Sequence, residues 1–139
     1  MREVLFRGKR IVNGNWIEGY YSKGFLFPEE ETLRDFIYTF SEESGKWEFD
    51  YAIVDLETVG QYTGLCDKNG KKIFEGDILD CGDRITYVSW HEGCGTWDCK
   101  FVRYKGKLCS NGIENAEWKY RATVIGNIHD NPEMLGGWR

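Results

Sequence analysis

The chain has 139 residues, 16% of them aromatic, and a net charge of −5 at pH 7. This length and composition are enough for a real hydrophobic core. No apolar run approaches the roughly 18 residues that a membrane span requires, and the first ten residues hold too short an apolar run for a signal peptide. We therefore expect a soluble cytoplasmic protein with no membrane segment.

The acidic excess lies in residues 1–59, whereas residues 60–139 carry as many acidic as basic side chains. Proteins that bind duplex nucleic acid usually show a basic excess, because Lys and Arg neutralise the phosphates. The charge therefore argues mildly against a nucleic-acid ligand.

The chain opens with signals for β-strands. Residues 11–12 and 16–17 are apolar and flank Asn13-Gly14, a pair that suits the tight turns of β-hairpins. Residues 4–6 and 20–27 are also rich in strand-forming side chains. The first quarter is predicted to be a small β-meander.

A helix is predicted next. Pro28 suits the first position of a helix, and acidic residues 29–31 suit its positive N-terminal end. Apolar side chains then follow the i, i+3, i+4, i+7 spacing of a single stripe, at Leu33, Phe36, Ile37 and Phe40. We expect this stripe to pack on the sheet rather than to bind a partner.

Strands are predicted for the remainder. Trp47, Phe49, Tyr51 and Ile53 alternate with polar or small residues, which indicates a strand with one buried face. Residues 78–79, 85–90, 97–104 and 118–125 give further short strands separated by glycine turns, a pattern typical of a small barrel or sandwich.

Turn signals are concentrated between residues 59 and 78 and return near the end of the chain. The segments are Val59-Gly-Gln-Tyr-Thr-Gly-Leu65, Asp67-Lys-Asn-Gly-Lys71, Ile73-Phe-Glu-Gly-Asp-Ile78, Val124-Ile-Gly-Asn-Ile128 and Asn131-Pro-Glu133. In their order and spacing they resemble the YopX family of phage and prophage proteins. The structural positions of this motif are Gly60, Gly64, Asn69, Gly70, Gly76, Asp77, Gly126, Asn127 and Pro132.

The resemblance implies a small, largely β protein of phages and mobile elements, with no assigned activity and no catalytic residue to carry over. It also implies an SH3-like barrel in the second part, entered at Gly76-Asp77-Ile78. The prediction is an α+β fold, mainly antiparallel: an N-terminal β-meander with one helix over residues 1–58, and an SH3-like β-barrel with a C-terminal tail over residues 59–139. We expect the two to form one structural unit.

A metal site is weighed at His91, Cys94, Cys99 and Cys109. Structural zinc usually takes two closely spaced pairs of ligands, and only His91 with Cys94 forms such a pair. We therefore expect no metal and no cofactor. All five cysteines are expected to be thiols in a reducing compartment.

No catalytic set emerges from the sequence. Cys94 with His91, or Cys66 with His129, would need a third group to orient the base, and none is indicated. Closely spaced acids such as Asp80 and Asp83 are typical of capped turns, and no glycine cradle for phosphate precedes the predicted helix. We expect a protein that is not an enzyme.

Two functions stay open. The first is a macromolecular-interaction or self-assembling module, with a homo-oligomer or a protein partner. The alternative is a single-strand nucleic-acid-binding protein, because basic residues lie among aromatic ones on a predicted hairpin; its candidate residues are Trp97, Lys100, Arg103, Lys105 and Lys107. In the purely structural interpretation of the same hairpin, Trp97 points inward and the basic residues protect an edge strand.

Overall fold

The computed structural model describes residues 4–43, 45–82, 84–93, 95–104, 111–112 and 122–136. These residues form β-strands and one short helix, and the chain divides into two units, Met1–Tyr62 and Thr63–Arg139. All strand pairs of known register are antiparallel. The prediction of a mostly antiparallel β fold is confirmed. Within the described ranges no helix is long and apolar enough to cross a membrane.

The first unit is built from four strands. They are β1 (Phe6–Arg10), β2 (Trp16–Gly24), β3 (Arg34–Glu43) and most of β4 (Lys46–Cys66). Strand β1 pairs with both β2 and β4, and β3 pairs with β2 and β4. The first part of β2 pairs with β1 and its second part pairs with β3. The core of the unit consists of Ile17, Ile37 and Val54, with Phe6, Tyr21, Ala52 and Val59 packed against them.

Strand β2 changes partner at Gly19, which pairs with Phe6 of β1, while the next residue, Tyr20, pairs with Tyr38 of β3. A Cβ atom at position 19 would lie 2.2 Å from the carbonyl oxygen of Tyr38. The backbones of β2 and β3 therefore approach each other so closely that no side chain fits between them.

The predicted helix after Pro28 is wrong: residues 25–33 form a connection, and Arg34–Glu43 is strand β3. Phe36 to Phe40 are all strand-forming residues, and they also fit a period of two, with Ile37 fully buried. Pairing of β3 with β2 on one side and β4 on the other selects the strand period over the helical period. The acidic run has another use, because the carboxylate of Glu30 accepts the backbone N–H of Leu26.

The predicted N-terminal hairpin is present, with its strands shifted. Strand β1 ends at Arg10, so residues 11–13, part of which was predicted as strand, form the turn. Gly14 has a φ of 73°, a conformation that glycine adopts at little cost, and the side chain of Asn13 accepts the backbone N–H of Asn15. The Asn-Gly pair therefore acts as a turn signal, as expected.

The second unit contains the end of β4 and the remaining elements. They are β5 (Lys72–Phe74), β6 (Asp77–Asp80), β7 (Arg84–His91), β8 (Thr96–Tyr104), β9 (Asn111–Gly112), β10 (Thr123–Asn127) and α1 (Glu133–Gly136). The strand order of its five-stranded sheet is β10-β6-β7-β8-β9. Its core holds Ile73, Leu79, Cys81, Val88, Trp97 and Ala122.

The glycine-rich segment is only partly a set of turns. Gly60 and Gly64 lie within β4, and the chain first turns at residues 67–71 and again at Glu75-Gly76. At the first turn, Gly70 has a φ of 81°, and Asn69 donates its backbone N–H to the Asp67 carboxylate.

At the second turn, Gly76 has a φ of 89°; its N–H donates to the carbonyl of Val88 and its carbonyl accepts the N–H of Ile128. Asp77 is buried and accepts the N–H of Phe74.

Residues 126–132 form a turn that polar side chains hold together. The side-chain oxygen of Asn127 accepts the backbone N–H groups of His129 and Asp130. A Cβ atom at Gly126 would lie 2.4 Å from the side-chain oxygen of Asn131, and Pro132 stands directly before α1. Most positions of the predicted structural motif are thus turn or close-contact positions, while Gly60 and Gly64 lie within β4.

Candidate functional site

One face of the β3–β4 hairpin is covered by aromatic side chains. By strand register, Tyr38 lies between Tyr20 of β2 and Tyr51 of β4, and Phe40 lies opposite Phe49. We call this surface the aromatic face; it comprises Tyr20, Phe36, Tyr38, Phe40, Trp47, Phe49 and Tyr51. Because side chains on a strand alternate between its two faces, these residues share one side of the sheet.

Six rings of the aromatic face, those of Tyr20, Phe36, Tyr38, Phe40, Phe49 and Tyr51, contact one another in a continuous network. The ring centres of Phe40 and Phe49 are 5.3 Å apart, those of Phe49 and Tyr51 are 5.9 Å apart, and those of Tyr20 and Tyr38 are 5.7 Å apart. These separations lie within the range in which aromatic pairs attract each other. The network fixes the rings as a broad, ordered surface.

The aromatic face is exposed to solvent. Trp47 is 71% exposed, Phe49 is 58% exposed, and Tyr20, Phe40 and Tyr51 are each about half exposed. The sequence predicted one buried face for the strand from Trp47 to Ile53, and that burial is wrong for Trp47, Phe49 and Tyr51. The hairpin extends past the core residues Ile37 and Val54. No described residue of this unit therefore covers the aromatic side of its outer part.

The opposite face of the same hairpin is polar. Thr39 pairs with Asp50 and Ser41 pairs with Glu48, so these four side chains share the side that lacks the rings. On the aromatic side the described residues of the outer hairpin include one charged side chain, Glu42, opposite Trp47. The outer hairpin is therefore amphipathic.

A partly buried polar contact supports the base of the hairpin on the core side. The hydroxyl of Tyr21 donates to the carboxylate of Asp35 at 2.5 Å, and the Lys23 ammonium lies 3.7 Å from the same carboxylate. The hydrogen bond to Asp35, followed by burial and the negative charge of Asp35, raises the pKa of Tyr21 from 10.0 to about 12. The contact thus favours the neutral phenol.

We expect Asp35→Asn to lower the pKa of Tyr21 toward 10.0, because it removes the carboxylate that accepts the hydrogen bond of the phenol. The stabilisation from this bond is fully present below pH 10.0 and is lost as pH rises through about 12. NMR titration of the tyrosine ring carbons measures the shift. Asp50→Asn is the control, since Asp50 accepts the backbone N–H of Tyr51. An unchanged Tyr21 titration in Asp35→Asn would contradict the assignment.

A shallow cleft of about 600 Å³ lies beside the base of the hairpin. Ile53, which pairs with Phe36 of the aromatic face, is one of its lining residues, together with Lys9, Arg10 and Arg34. Arg34 contacts Glu30 at 3.5 Å, Arg10 donates to the carbonyl of Trp16, and Lys9 lies over the Trp16 ring. The cationic groups of this cleft are thus engaged with the protein itself.

The predicted nucleic-acid residues are only partly described. Trp97 is 8% exposed, belongs to the core of the second unit and packs against Trp90 with ring centres 4.9 Å apart. Lys100 and Arg103 lie on β8, opposite Tyr87 and Ile85 of β7. The other two candidates, Lys105 and Lys107, lie outside the described residues. The interpretation that Trp97 points inward therefore fits the structure.

The weighed metal ligands are also described only in part. His91 ends β7 and Cys99 lies on β8, but their side chains, like Cys94 and Cys109 as a whole, lie outside the described part of the chain. Among the side chains that are described, no group of three or more His, Cys, Asp or Glu residues is placed to hold a metal ion.

The aromatic face was not predicted from the sequence, although a signal for it was present. Phe36, Tyr38 and Phe40 follow the alternation of a strand, as do Trp47, Phe49 and Tyr51. Two aromatic alternations separated by a short glycine-containing turn predict a hairpin with one aromatic face. The competing helical spacing at Leu33 to Phe40 concealed the first alternation.

Comparison with known proteins identifies the family. The family model described as "YopX protein" matches residues 5–136, so the chain belongs to the YopX family. The resemblance seen in the sequence is confirmed.

Among solved structures, the crystal structure of protein EF1440 from Enterococcus faecalis is similar, with a TM-score of 0.52 and 24% identity. The match covers 97% of this chain and 99% of that one, and at this identity it supports the fold alone. No curated protein matches the chain.

Proposed function

We propose that the chain is a non-enzymatic interaction module, an accessory protein of a phage or prophage that acts in the cytoplasm of the bacterial host and binds another macromolecule through the aromatic face. The observation that carries the proposal is the exposure of five aromatic rings on one side of the hairpin and its neighbouring strand β2. Large exposed apolar patches on soluble proteins mark interaction sites, and aromatic residues are enriched in interface cores.

The chemistry of the described residues supports a binding role. Carboxylates that the sequence offers for acid–base work accept backbone N–H groups instead: Asp77 accepts that of Phe74 and Asp80 accepts that of Gly82. Their oxygen atoms stabilise turns, which is the common role of Asp at such positions. The exposed rings of the aromatic face, by comparison, have no covering layer among the described residues of the first unit that would explain them.

We also propose that the second unit is built as an SH3-like barrel. Its five-stranded antiparallel order and its entry at Gly76-Asp77-Ile78 support this. In the described residues its edge strands β10 and β9 are not paired with each other, so barrel closure is part of the proposal.

The nucleic-acid alternative is less well supported than a protein partner. Base stacking needs exposed rings above a basic groove. Trp97 is in the core, and the aromatic face lies in the first unit, where the acidic excess is found. The outer part of the aromatic face offers no described basic side chain to attract phosphates, and it favours a partner that offers apolar surface.

Site-specific photo-crosslinking in bacterial cells tests the proposal. A benzophenone amino acid at position 49 projects from the aromatic face, and at position 48 it projects from the polar face of the same strand. We expect macromolecular adducts from position 49 to exceed those from position 48 at least tenfold.

Equal or absent adducts from the two positions would overturn the proposal. Protease and nuclease treatment of the adducts then identifies the partner. Adducts that only nuclease removes would favour the nucleic-acid alternative, and salt dependence of binding would agree with it.

A further inference from the structure

We infer that the partner of the aromatic face is a second copy of the same chain, packed face to face about a two-fold axis. This inference rests on the proposed function and names its partner. It commits to a symmetric dimer in which the same rings of both copies meet, since a two-fold interface uses one self-complementary patch on each subunit.

The size of the aromatic face suits such a dimer. An aromatic side chain offers about 150–250 Å², and Trp47 is about 70% exposed while four other rings are about half exposed. The face can therefore bury about 600 Å² on each copy, or about 1,200 Å² in total, the lower limit of stable specific interfaces. Polar atoms at its border would add to this area.

The shape of the face suits a second sheet. Rows of side chains from paired strands stand at regular spacing, so two such faces can pack with their strands aligned, as two sheets do in a sandwich. Phe40 and Phe49 form the middle row, and Tyr38 with Tyr51 forms the next. Tyrosine suits the border of such a contact, because its ring packs while its hydroxyl reaches water.

The charges of the hairpin favour association through the aromatic face over association through the polar face. The polar face carries Glu48 and Asp50, so two copies that meet through that side place like charges together. Charges there also hinder edge-to-edge pairing of the hairpin. On the aromatic side Glu42 stands at the end of the hairpin, opposite Trp47, where it keeps contact with solvent.

Light scattering during size-exclusion chromatography of the purified full chain tests the dimer. We expect a particle of twice the chain mass of 16.2 kDa at low micromolar concentration. Phe49→Ser should weaken association at least tenfold and give the monomer mass, because it removes the centre of the contact. Glu48→Ser, the neighbouring position on the polar face, should keep the dimer. High salt should leave the dimer intact or strengthen it, since salt screens the repulsion between the acidic side chains of the two copies.

A second measurement does not depend on how Phe49→Ser folds, because it keeps an aromatic side chain at that position. In the purified chain that carries the benzophenone at position 49, irradiation should give a cross-linked product of twice the chain mass, with cross-links to the aromatic face of the other copy. Circular dichroism shows whether Phe49→Ser keeps its strands.

A wild-type monomer at 100-fold higher concentration, a dimer that survives Phe49→Ser, or cross-links to other surfaces would overturn the inference. If the purified chain is a monomer while position 49 cross-links to a different protein in cells, the inference fails and the proposed function stands. If position 49 gives no adduct in either setting, both fail.

Discussion

Gly19→Ala is expected to destabilise the first unit by about 3 kcal/mol, the upper range for inserting atoms into a closely packed site. The added Cβ atom would lie 2.2 Å from the carbonyl oxygen and 2.9 Å from the carbonyl carbon of Tyr38. Both contacts are with backbone, so no side-chain rotation relieves them.

The position of Gly19 makes the clash costly. It pairs with Phe6 on β1, and the adjacent Tyr20 pairs with Tyr38 on β3, so moving β2 away from one strand disturbs its pairing with the other. Relief requires part of the β2–β3 ladder to open, and this ladder carries the base of the aromatic face. Loss of the proposed dimer is therefore expected together with loss of stability.

Denaturant unfolding measures the effect, with Gly24→Ala as the matched control. Gly24 is in the same strand, and a Cβ atom there has nothing within 4 Å. We expect the control to be neutral or slightly stabilising, because alanine reduces the freedom of the unfolded chain. Equal unfolding midpoints for the two variants would show that the close approach at Gly19 is relieved without cost.

Asp67→Asn is expected to destabilise the second unit by about 4 kcal/mol, given that a hydrogen bond to a charged group contributes about 1.5–3 kcal/mol and that such bonds are not additive. One carboxylate oxygen of Asp67 accepts the N–H groups of Asn69 and Lys71, each at 2.9 Å. The other accepts the N–H of Val124 at 3.0 Å and so joins the turn to β10.

The isosteric asparagine keeps the shape but cannot keep all of these bonds. One of its side-chain atoms is an N–H₂ group, which places a donor against a backbone donor whichever way the amide is turned. Asp67 is buried, so the mismatched group cannot turn to water. Asp80→Asn is the control, because Asp80 makes a single bond to the N–H of Gly82 in an exposed turn. A loss in Asp67→Asn no larger than in the control would contradict this account.

The same carboxylate gives the stability a pH dependence. Burial alone would raise the pKa of Asp67, but the hydrogen bonds from Val124, Lys71 and Asn69 and the charge of Lys71 outweigh it and lower the pKa below 3.8. The stabilisation is therefore present above pH 3.8 and is lost as pH falls through the lowered pKa. We expect the acid-induced loss of stability to be smaller in Asp67→Asn than in the wild type.

Much of the second unit could be predicted from the sequence because its turns depend on local chemistry. The Asp67-Lys-Asn-Gly-Lys71 segment combines a side chain that caps its own turn with a glycine that accepts a positive φ, and both act within a few residues. The same holds for Asn127, whose oxygen bonds to residues two and three positions later. Such signals need no knowledge of the rest of the fold.

The first unit was harder to predict because its decisive contacts are distant in sequence. Leu33 to Phe40 satisfies helical and strand periods alike, and pairing with β2 and β4 selects the strand. The exposure of Trp47 and Phe49 depends on how far the hairpin extends past Ile37 and Val54, which a pattern of alternation does not contain. The candidate site was missed because it consists of residues that the pattern assigns to a core.

The pairing of β10 with β6 has a consequence for the order of folding during synthesis. The Asp67 carboxylate and the Gly76 carbonyl accept hydrogen bonds from the backbone N–H groups of Val124 and Ile128, which are translated some fifty residues later. While the ribosome is still adding those residues, the nascent second unit holds a buried carboxylate and a strand edge without their final partners. We therefore expect its native packing to form after translation has passed Ile128, which makes premature termination in this stretch a route to misfolded chains.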